Sequence, residues 1–174
     1  MRIPNRWSAQ AAFSLVEILV VILILAIAAA IVVPNIGSAG DSEAISAARV
    51  MKSDLEVARS MALTTQHPHA VVFSADRQSY KVVANYAGED YASAVAVVHP
   101  VLGNKSFVVH LASQNGMSNV AVVSVSFDGA TYVTFNSQGD PSSGGTVTLR
   151  SGSTQMQIAV AGLTGAITVT RMAG

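Results

Sequence analysis

Residues that could take part in chemistry are few and scattered in this chain. Of its four histidines, only His67 and His69 lie close together, on either side of Pro68. A metal site needs at least a third ligand, and the sequence places none beside this pair. Serine, histidine and aspartate all occur, but no spacing marks a catalytic triad, and no metalloprotease or nucleotide-binding motif is present. We therefore expect a protein that is not an enzyme and holds no metal or cofactor.

One carboxylate stands in an unusual place. Glu17 is the only charged residue in the 21 residues from Phe13 to Val33. An unpaired carboxylate in hydrocarbon costs a few kcal/mol or more, whereas at the headgroup boundary it costs little. The position alone leaves a structural and a functional interpretation of Glu17 equally open.

The segment that carries this carboxylate is long enough to cross a membrane. As a helix, 21 residues would span about 30 Å, the thickness of a bilayer's hydrocarbon core. The run 18–33 is apolar on every face, which a buried core helix would not need. Arg2 and Arg6 precede it, and positive residues on a short flank stay in the cytoplasm. We predict a single-pass transmembrane helix over 13–33 in the inner membrane, with a cytoplasmic amino terminus and the rest of the chain periplasmic.

The composition agrees with a membrane-anchored chain and excludes several classes of functional site. Apolar residues make up 51% of the chain and charged residues 11%, against about 25% charged in a typical soluble domain. Basic and acidic side chains number 10 each. The chain therefore lacks the basic surplus that would indicate a surface for nucleic acid. The absence of cysteine excludes disulfides, zinc–thiolate sites and thiol nucleophiles.

The residues around Glu17 follow a specific pattern. They read Ala12-Phe13-Ser14-Leu15-Val16-Glu17 ahead of the apolar run. This resembles the class III signal of type IV prepilins and type II secretion prepseudopilins: a basic leader, a small residue, Phe, Ser or Thr, Leu, any residue, Glu and a long apolar helix. The residue before the processing point is usually Gly, and Ala12 keeps its small size. Pro34 stands where this family often has a proline, and we expect it to kink the helix.

The resemblance implies processing and assembly. A prepilin peptidase would cut between Ala12 and Phe13, and the new amino group of Phe13 would be N-methylated. Cleavage removes two of the ten basic side chains and no acidic one, so the formal charge becomes −2. In a filament, the amine of one subunit could meet Glu17 of its neighbour. Because each charge is costly alone in an apolar bundle, the pair would favour one axial stagger.

The remainder of the chain predicts a second helical segment followed by strands. Asp41 or Ser42 can cap a helix that continues to about Gln66, and Pro68 ends it. Its apolar stripe comprises Ile45, Ala48, Met51, Leu55, Ala58 and Ala62. Short β-branched runs with closely spaced turns then favour antiparallel strands. These are 70–74, 80–84, 94–99, 106–111, 120–127, 131–135, 146–150, 155–160 and 166–170.

A second resemblance involves the carboxy-terminal half. The segments 135–139, 144–149 and 162–169, with 58–62 at the helix end, are similar to the GspH/FimT family of minor pseudopilins and minor pilins. We interpret Gly139, Gly144, Gly145 and Gly165 as residues of left-handed turns and not as a phosphate loop.

Together these observations predict an α+β, pilin-like fold. A long amino-terminal α-helix, with a membrane-spanning first half, packs on an antiparallel β-domain of two sheets. The parts are a leader at 1–12, the transmembrane helix at 13–33, its periplasmic half at 34–66 and a periplasmic β-domain at 67–174.

The resemblance implies a minor pseudopilin of a type II secretion system, placed near the tip of the pseudopilus to support protein export. Its partners would be other major and minor pseudopilins, the prepilin peptidase and methyltransferase, the inner-membrane assembly platform and membrane lipid. The alternative is a FimT-like type IV minor pilin in pilus initiation, adhesion or DNA uptake. Its candidate DNA contacts, Lys105, Arg150 and Arg171, are sparse, and a −2 chain attracts phosphate weakly, so we expect no nucleic-acid binding. A third possibility is a membrane-anchored enzyme or binding module, which would tolerate Glu17→Leu.

Overall fold

The computed structural model describes residues 13–32 and 38–172, with side chains described for 13–29 and 40–172. The chain divides into two units, with the boundary between Gly37 and Ser38. The leader, Ala12 and the predicted kink at Pro34 lie outside the described residues.

The first unit contains helix α1, Leu15–Val32. Ser14 caps it, because its hydroxyl oxygen accepts a hydrogen bond from the Val16 amide at 3.3 Å. No helix within the described ranges is long and apolar enough to cross a membrane. The predicted span 13–33 extends past the last described residue of α1 and stays a prediction.

The second unit begins with helix α2, Ser38–Thr65. Its buried stripe comprises Ala44, Ala47, Ala48, Met51, Leu55, Ala58 and Ala62. Five of these seven residues stand in the predicted stripe. The predicted Ile45 is only half-buried, and the small residues Ala44 and Ala47 are buried instead. The helix starts before the expected caps, so Asp41 lies in its first turn.

Eight strands within residues 38–172 form two four-stranded antiparallel sheets. Their bounds are β1 His69–Phe73, β2 Ser79–Ala84, β3 Val108–His110, β4 Ala121–Ser126, β5 Tyr132–Phe135, β6 Gly145–Ser151, β7 Thr154–Val160 and β8 Ile167–Met172. The first sheet has the order β3-β2-β1-β5, and the second has the order β4-β6-β7-β8. The chain therefore passes from one sheet to the other after β3, β4 and β5.

Helix α2 packs against both sheets, and the shared core lies between them. The inward residues alternate along each strand, for example Val71 and Phe73 on β1 and Met156 and Ile158 on β7. This confirms the predicted α+β, pilin-like architecture of a helix on two antiparallel sheets.

The first sheet is also covered on its other face. All five residues of β1 are buried, and the outward-facing Ala70, Val72 and Val83 form a second apolar cluster with Ala94. On the same face Lys81 is buried, where its ammonium donates to the Ala94 carbonyl. The loop after β2 therefore acts as a lid on this sheet.

That loop explains one wrong prediction. The segment 94–99 is not a strand and makes only isolated bridges, from Ala96 to Val83 and from Val98 to Ser106. Its apolar residues cover the sheet irregularly, because Ala94 is buried while Val95 is 80% exposed. Alternation of apolar residues does not separate a strand from such a covering loop.

Candidate functional site

The predicted processing and assembly residues lie at the amino end of α1. Phe13 is 74% exposed, and Glu17 is exposed in the first turn of the helix. The structure describes no ion-pair partner for Glu17 within residues 13–32 and 38–172. Phe13 and Glu17 are therefore both accessible to another molecule in this conformation.

Glu17 also stands at a favourable position in its own helix, which the sequence analysis missed. Ser14 is the N-cap, and Glu17 is three residues after it, the spacing of a capping box. A carboxylate in the first turn is favourable beside the positive end of the helix dipole. The Ser-x-x-Glu pattern is a signal that could have indicated this local role.

The side chains of α1 have no buried face. Every described side chain from Phe13 to Ala29 is exposed, and those of Leu15 and Leu25 are 80% and 61% exposed. Only one acid, Glu17, interrupts this apolar surface. A helix of this kind needs lipid or other apolar helices around it.

A second cluster joins the carboxy-terminal half of α2 to two distant loops. Arg59 Nε donates to the Gly139 carbonyl at 2.8 Å, and its Nη1 and Nη2 donate to the carbonyls of Gly165 and Thr164 at 3.2 and 3.0 Å. We call Arg59 with these three carbonyls the Arg59 clasp. It brings together three of the four segments that carry the second family resemblance, 58–62, 135–139 and 162–169.

Two glycines of the clasp require their residue type. Gly139 and Gly165 have φ of +80° and +62°, so both are in the predicted left-handed region. A Cβ on Gly165 would lie 3.1 Å from both Arg59 Cζ and the Gly139 oxygen. Gly144 and Gly145 were wrongly predicted as left-handed, because neither has positive φ. Close packing explains them instead, since a Cβ on Gly144 would lie 3.0 Å from the Gly162 nitrogen.

A third cluster fastens the amino-terminal part of α2 to the second sheet. Thr154 Oγ1 donates to Asp41, and Arg171 Nη2 lies 3.1 Å from Asp41 Oδ2. The Thr154 hydrogen bond, together with the Arg171 charge, holds the pKa of Asp41 below its ordinary value. Nearby, Ser151 Oγ donates to Glu43 Oε2 at 3.1 Å.

Two further pairs of ionisable side chains each join a buried residue to a half-buried one. Tyr80 donates its hydroxyl to Asp54 Oδ2 at 2.6 Å. Burial raises the pKa of both groups, and for Asp54 the Tyr80 hydrogen bond and the His99 charge partly oppose this rise. Lys81 Nζ lies 4.2 Å from the centre of the Tyr91 ring, a cation–π contact.

Two of the four histidines have hydrogen-bond partners within the domain. His69 is buried, and its Nδ1 lies 2.9 Å from the His67 carbonyl. His99 Nδ1 accepts hydrogen bonds from the amides of Val101 and Leu102. In the part of the chain that the structure describes, no group of three possible metal ligands occurs.

The three candidate nucleic-acid contacts do not form one basic surface. Arg150 is opposite Gln155, whereas Arg171 is opposite Met156 on the neighbouring register row. Side chains alternate across a sheet, so Arg150 lies on the outer face and Arg171 lies on the α2 face, paired with Asp41. Lys105 lies in the loop before β3.

Two family models match the chain. The model described as type II transport protein GspH matches residues 47–164, and the model of the prokaryotic N-terminal methylation motif matches residues 7–33. In sequence, no curated protein matches the chain significantly.

Solved structures share its fold. The minor pseudopilin EpsH from the type II secretion system of Vibrio cholerae superposes with a TM-score of 0.56 at 9% identity, covering 76% of this chain and 96% of EpsH. The type IV minor pilin FimU of Pseudomonas aeruginosa (strain PAO1) superposes with a TM-score of 0.52 at 15% identity, covering 75% of this chain and 90% of FimU. At these identities the similarity concerns the fold.

Proposed function

Because this chain belongs to the family of the type II transport protein GspH and has a methylation motif ahead of that region, we propose that it works as a minor subunit of a type II secretion pseudopilus. The family is structural and non-enzymatic. The methylation motif identifies an inner-membrane-anchored, pilin-like protein. The observation that carries the proposal is the order of the two matches in one chain, an assembly signal followed by a GspH domain.

We propose that maturation takes place at the cytoplasmic face of the inner membrane. A prepilin peptidase cleaves between Ala12 and Phe13, and the new Phe13 amine is methylated. Arg2 and Arg6 hold the leader in the cytoplasm before cleavage. The exposed position of Phe13 at the start of α1 is compatible with access by both activities.

In the membrane, α1 is surrounded by lipid, and in the filament other helices replace the lipid. Its apolar side chains on all faces suit both surroundings. Glu17 then lies where a neighbour's methylated amine can compensate its charge. The pair selects one axial stagger, and its net contribution to stability is small because both charges lose water.

The globular domain supplies the specificity of the subunit. It lies in the periplasm, near the tip of the pseudopilus, where it contacts other minor subunits and supports export across the outer membrane. The Arg59 clasp attaches α2 to two loops, and the Thr154–Asp41 hydrogen bond attaches it to the second sheet. A force on this helix is therefore transmitted to the whole domain.

A type IV minor pilin is the second candidate function. The fold does not choose between the two machines, because TM-scores to EpsH and FimU are similar, 0.56 and 0.52. The GspH family match favours type II secretion. Neighbouring genes discriminate: secretin-associated secretion genes favour the first function, and retraction-motor or competence genes favour the second.

The proposal is tested by isolating the full chain from its own cells after cross-linking. We expect it to be recovered together with the other pseudopilins, and we expect deletion of its gene to reduce export of the proteins that the secretion system releases. Recovery with retractile pilus subunits and unchanged export would contradict it.

A further inference from the structure

A groove of about 410 Å³ lies between α2 and the strand β8. Its lining comprises Ile45, Arg49 and Lys52 from α2, Met156 from β7, and Val169 and Arg171 from β8. Three of these side chains are apolar and three are cationic. The groove therefore combines an apolar floor with a positive rim.

The charge of the groove is only partly compensated. Its lining contains no carboxylate. Lys52 Nζ lies 3.6 Å from Glu56 Oε1, one helical turn further along, and Arg171 pairs with Asp41 near the helix start. Arg49 is exposed, and no ion pair is present for it within residues 38–172. Exposed pairs such as Lys52–Glu56 are weak, so an acidic group can compete for these cations.

The second wall of the groove is an edge strand. β8 is the last strand of its sheet and pairs with β7 on one side only, within the described residues. Edge strands present unpaired amides and carbonyls to which another strand can add. Val169 and Arg171 face α2, whereas Thr168 and Thr170 are exposed on the other face.

We propose that β8 and this groove bind an extended segment of another protein, which adds as a strand at the edge and places acidic side chains against the cations. In an added strand, alternate side chains would continue the α2 face and reach Arg49 and Lys52. The intervening side chains would continue the threonine-bearing outer face. The expected partner segment therefore has acidic residues at every second position, with small polar residues such as threonine between them.

An acidic protein strand suits this site better than nucleic acid does. A phosphate backbone has no peptide amides and carbonyls with which to continue the ladder at the β8 edge. The exposed Arg150 lies on the opposite face of the sheet, so it does not extend the positive rim of the groove. The −2 charge of the chain after cleavage also weakens any long-range attraction to phosphate.

The inference is tested with the purified full chain in detergent and a short fluorescein-labelled peptide that alternates aspartate with threonine. We expect saturable binding by fluorescence anisotropy, and binding that weakens about fivefold or more when asparagine replaces aspartate in the peptide or in the variant Arg49→Glu. Arg150→Glu is the matched control, because it reverses an equal charge on the other face, and it should bind nearly as the wild type. Far-UV circular dichroism checks that both variants are folded.

Backbone methylation separates strand addition from simple charge attraction. N-methyl groups on alternate peptide amides should abolish binding in one register and spare it in the other. Equal binding by both methylated peptides, equal loss in Arg150→Glu and Arg49→Glu, or stronger binding of a DNA duplex than of the peptide would overturn the inference. These measurements do not depend on filament membership, so the pseudopilus proposal and this one can fail separately.

Discussion

In the proposed function, the Glu17 carboxylate has both a local role in its own helix and a role in contact with a neighbouring subunit. It stands in the first turn of α1, after the N-cap Ser14. A purely local role in the helix would be served by any first-turn acceptor. A role in assembly requires a full negative charge opposite a neighbour's amine.

We predict that Glu17→Val leaves membrane insertion intact and strongly reduces recruitment into the filament. Insertion depends on the apolar side chains of α1, which the substitution extends. Membrane fractionation measures insertion, and co-isolation with the major subunit measures recruitment. Glu17→Gln is the matched control, because it keeps a polar first-turn side chain and removes only the charge, and it should be defective as well. Normal recruitment of Glu17→Gln would limit Glu17 to helix capping.

We expect the Arg59 clasp to contribute measurably to the stability of the domain. Arg59→Ala removes three hydrogen bonds to carbonyls of distant loops, and we expect the free energy of unfolding to fall by about 2 kcal/mol. The stability of Arg59→Lys should lie between those of the wild type and Arg59→Ala, because an ammonium keeps the charge but cannot reproduce the planar arrangement of three donors. Urea unfolding followed by circular dichroism measures both variants. Arg150→Ala, at an exposed position, is the control, and an equal loss in that variant would show that the clasp contributes nothing.

The environment of Asp54 should make the stability of the domain depend on pH. Burial raises the pKa of its carboxyl in the folded state, so the folded protein holds this proton more tightly than the unfolded chain does. The resulting contribution to stability is complete below the unfolded pKa and is lost as pH rises through the folded pKa. Asp54→Asn has no such loss, because an amide does not titrate in this range, and its oxygen can still accept the hydrogen bond from Tyr80.

Unfolding of Asp54→Asn and wild type is therefore compared over a range from acid to neutral pH. We expect the variant to gain stability relative to wild type as pH rises. Asp90→Asn removes an equal charge from an exposed loop and is the control. A difference between Asp54→Asn and wild type that is constant with pH would refute the assigned cause.

What the sequence could predict at this scale depended on distance along the chain. Glu17 was identified because its local context, one acid in an apolar run, is visible in the residues themselves. The partners of Arg59 lie 80 to 106 positions away, and no local pattern connects them. The family resemblance indicated those segments without indicating their contact.

At the scale of elements, periodicity predicted α2 because that helix has one buried face, whereas short β-branched runs between turn residues predicted most strands. The placement of β5 beside β1, and of β4 beside β6, could not be predicted, because pairing of distant strands leaves no signal in either strand alone. The covering loop 94–99 was wrongly predicted as a strand because its apolar residues pack on the first sheet without pairing along it.

The two ends of α2 show how the elements are held. The first turns are tied to β6, β7 and β8 by polar side chains such as Asp41 and Glu43. The last turns are tied to loops by Arg59. Between them, small alanines let the helix lie close to both sheets. This arrangement leaves one side of α2 beside the edge strand β8 open, which is where the groove lies.

At the scale of the whole molecule, an assembly signal and a GspH domain occur in one chain. In the proposed function, the apolar first helix exchanges lipid for the helices of neighbouring subunits, and the globular domain contacts the other minor subunits. In this account the protein has a structural role in the filament, and cleavage and methylation at its amino terminus make assembly possible.

The most direct test is mass spectrometry of the amino terminus of the protein isolated from its own cells. The account predicts a chain that begins at Phe13, lacks residues 1–12 and carries one methyl group on its terminal nitrogen. A chain that still begins at Met1, or one cut at another position, would contradict it.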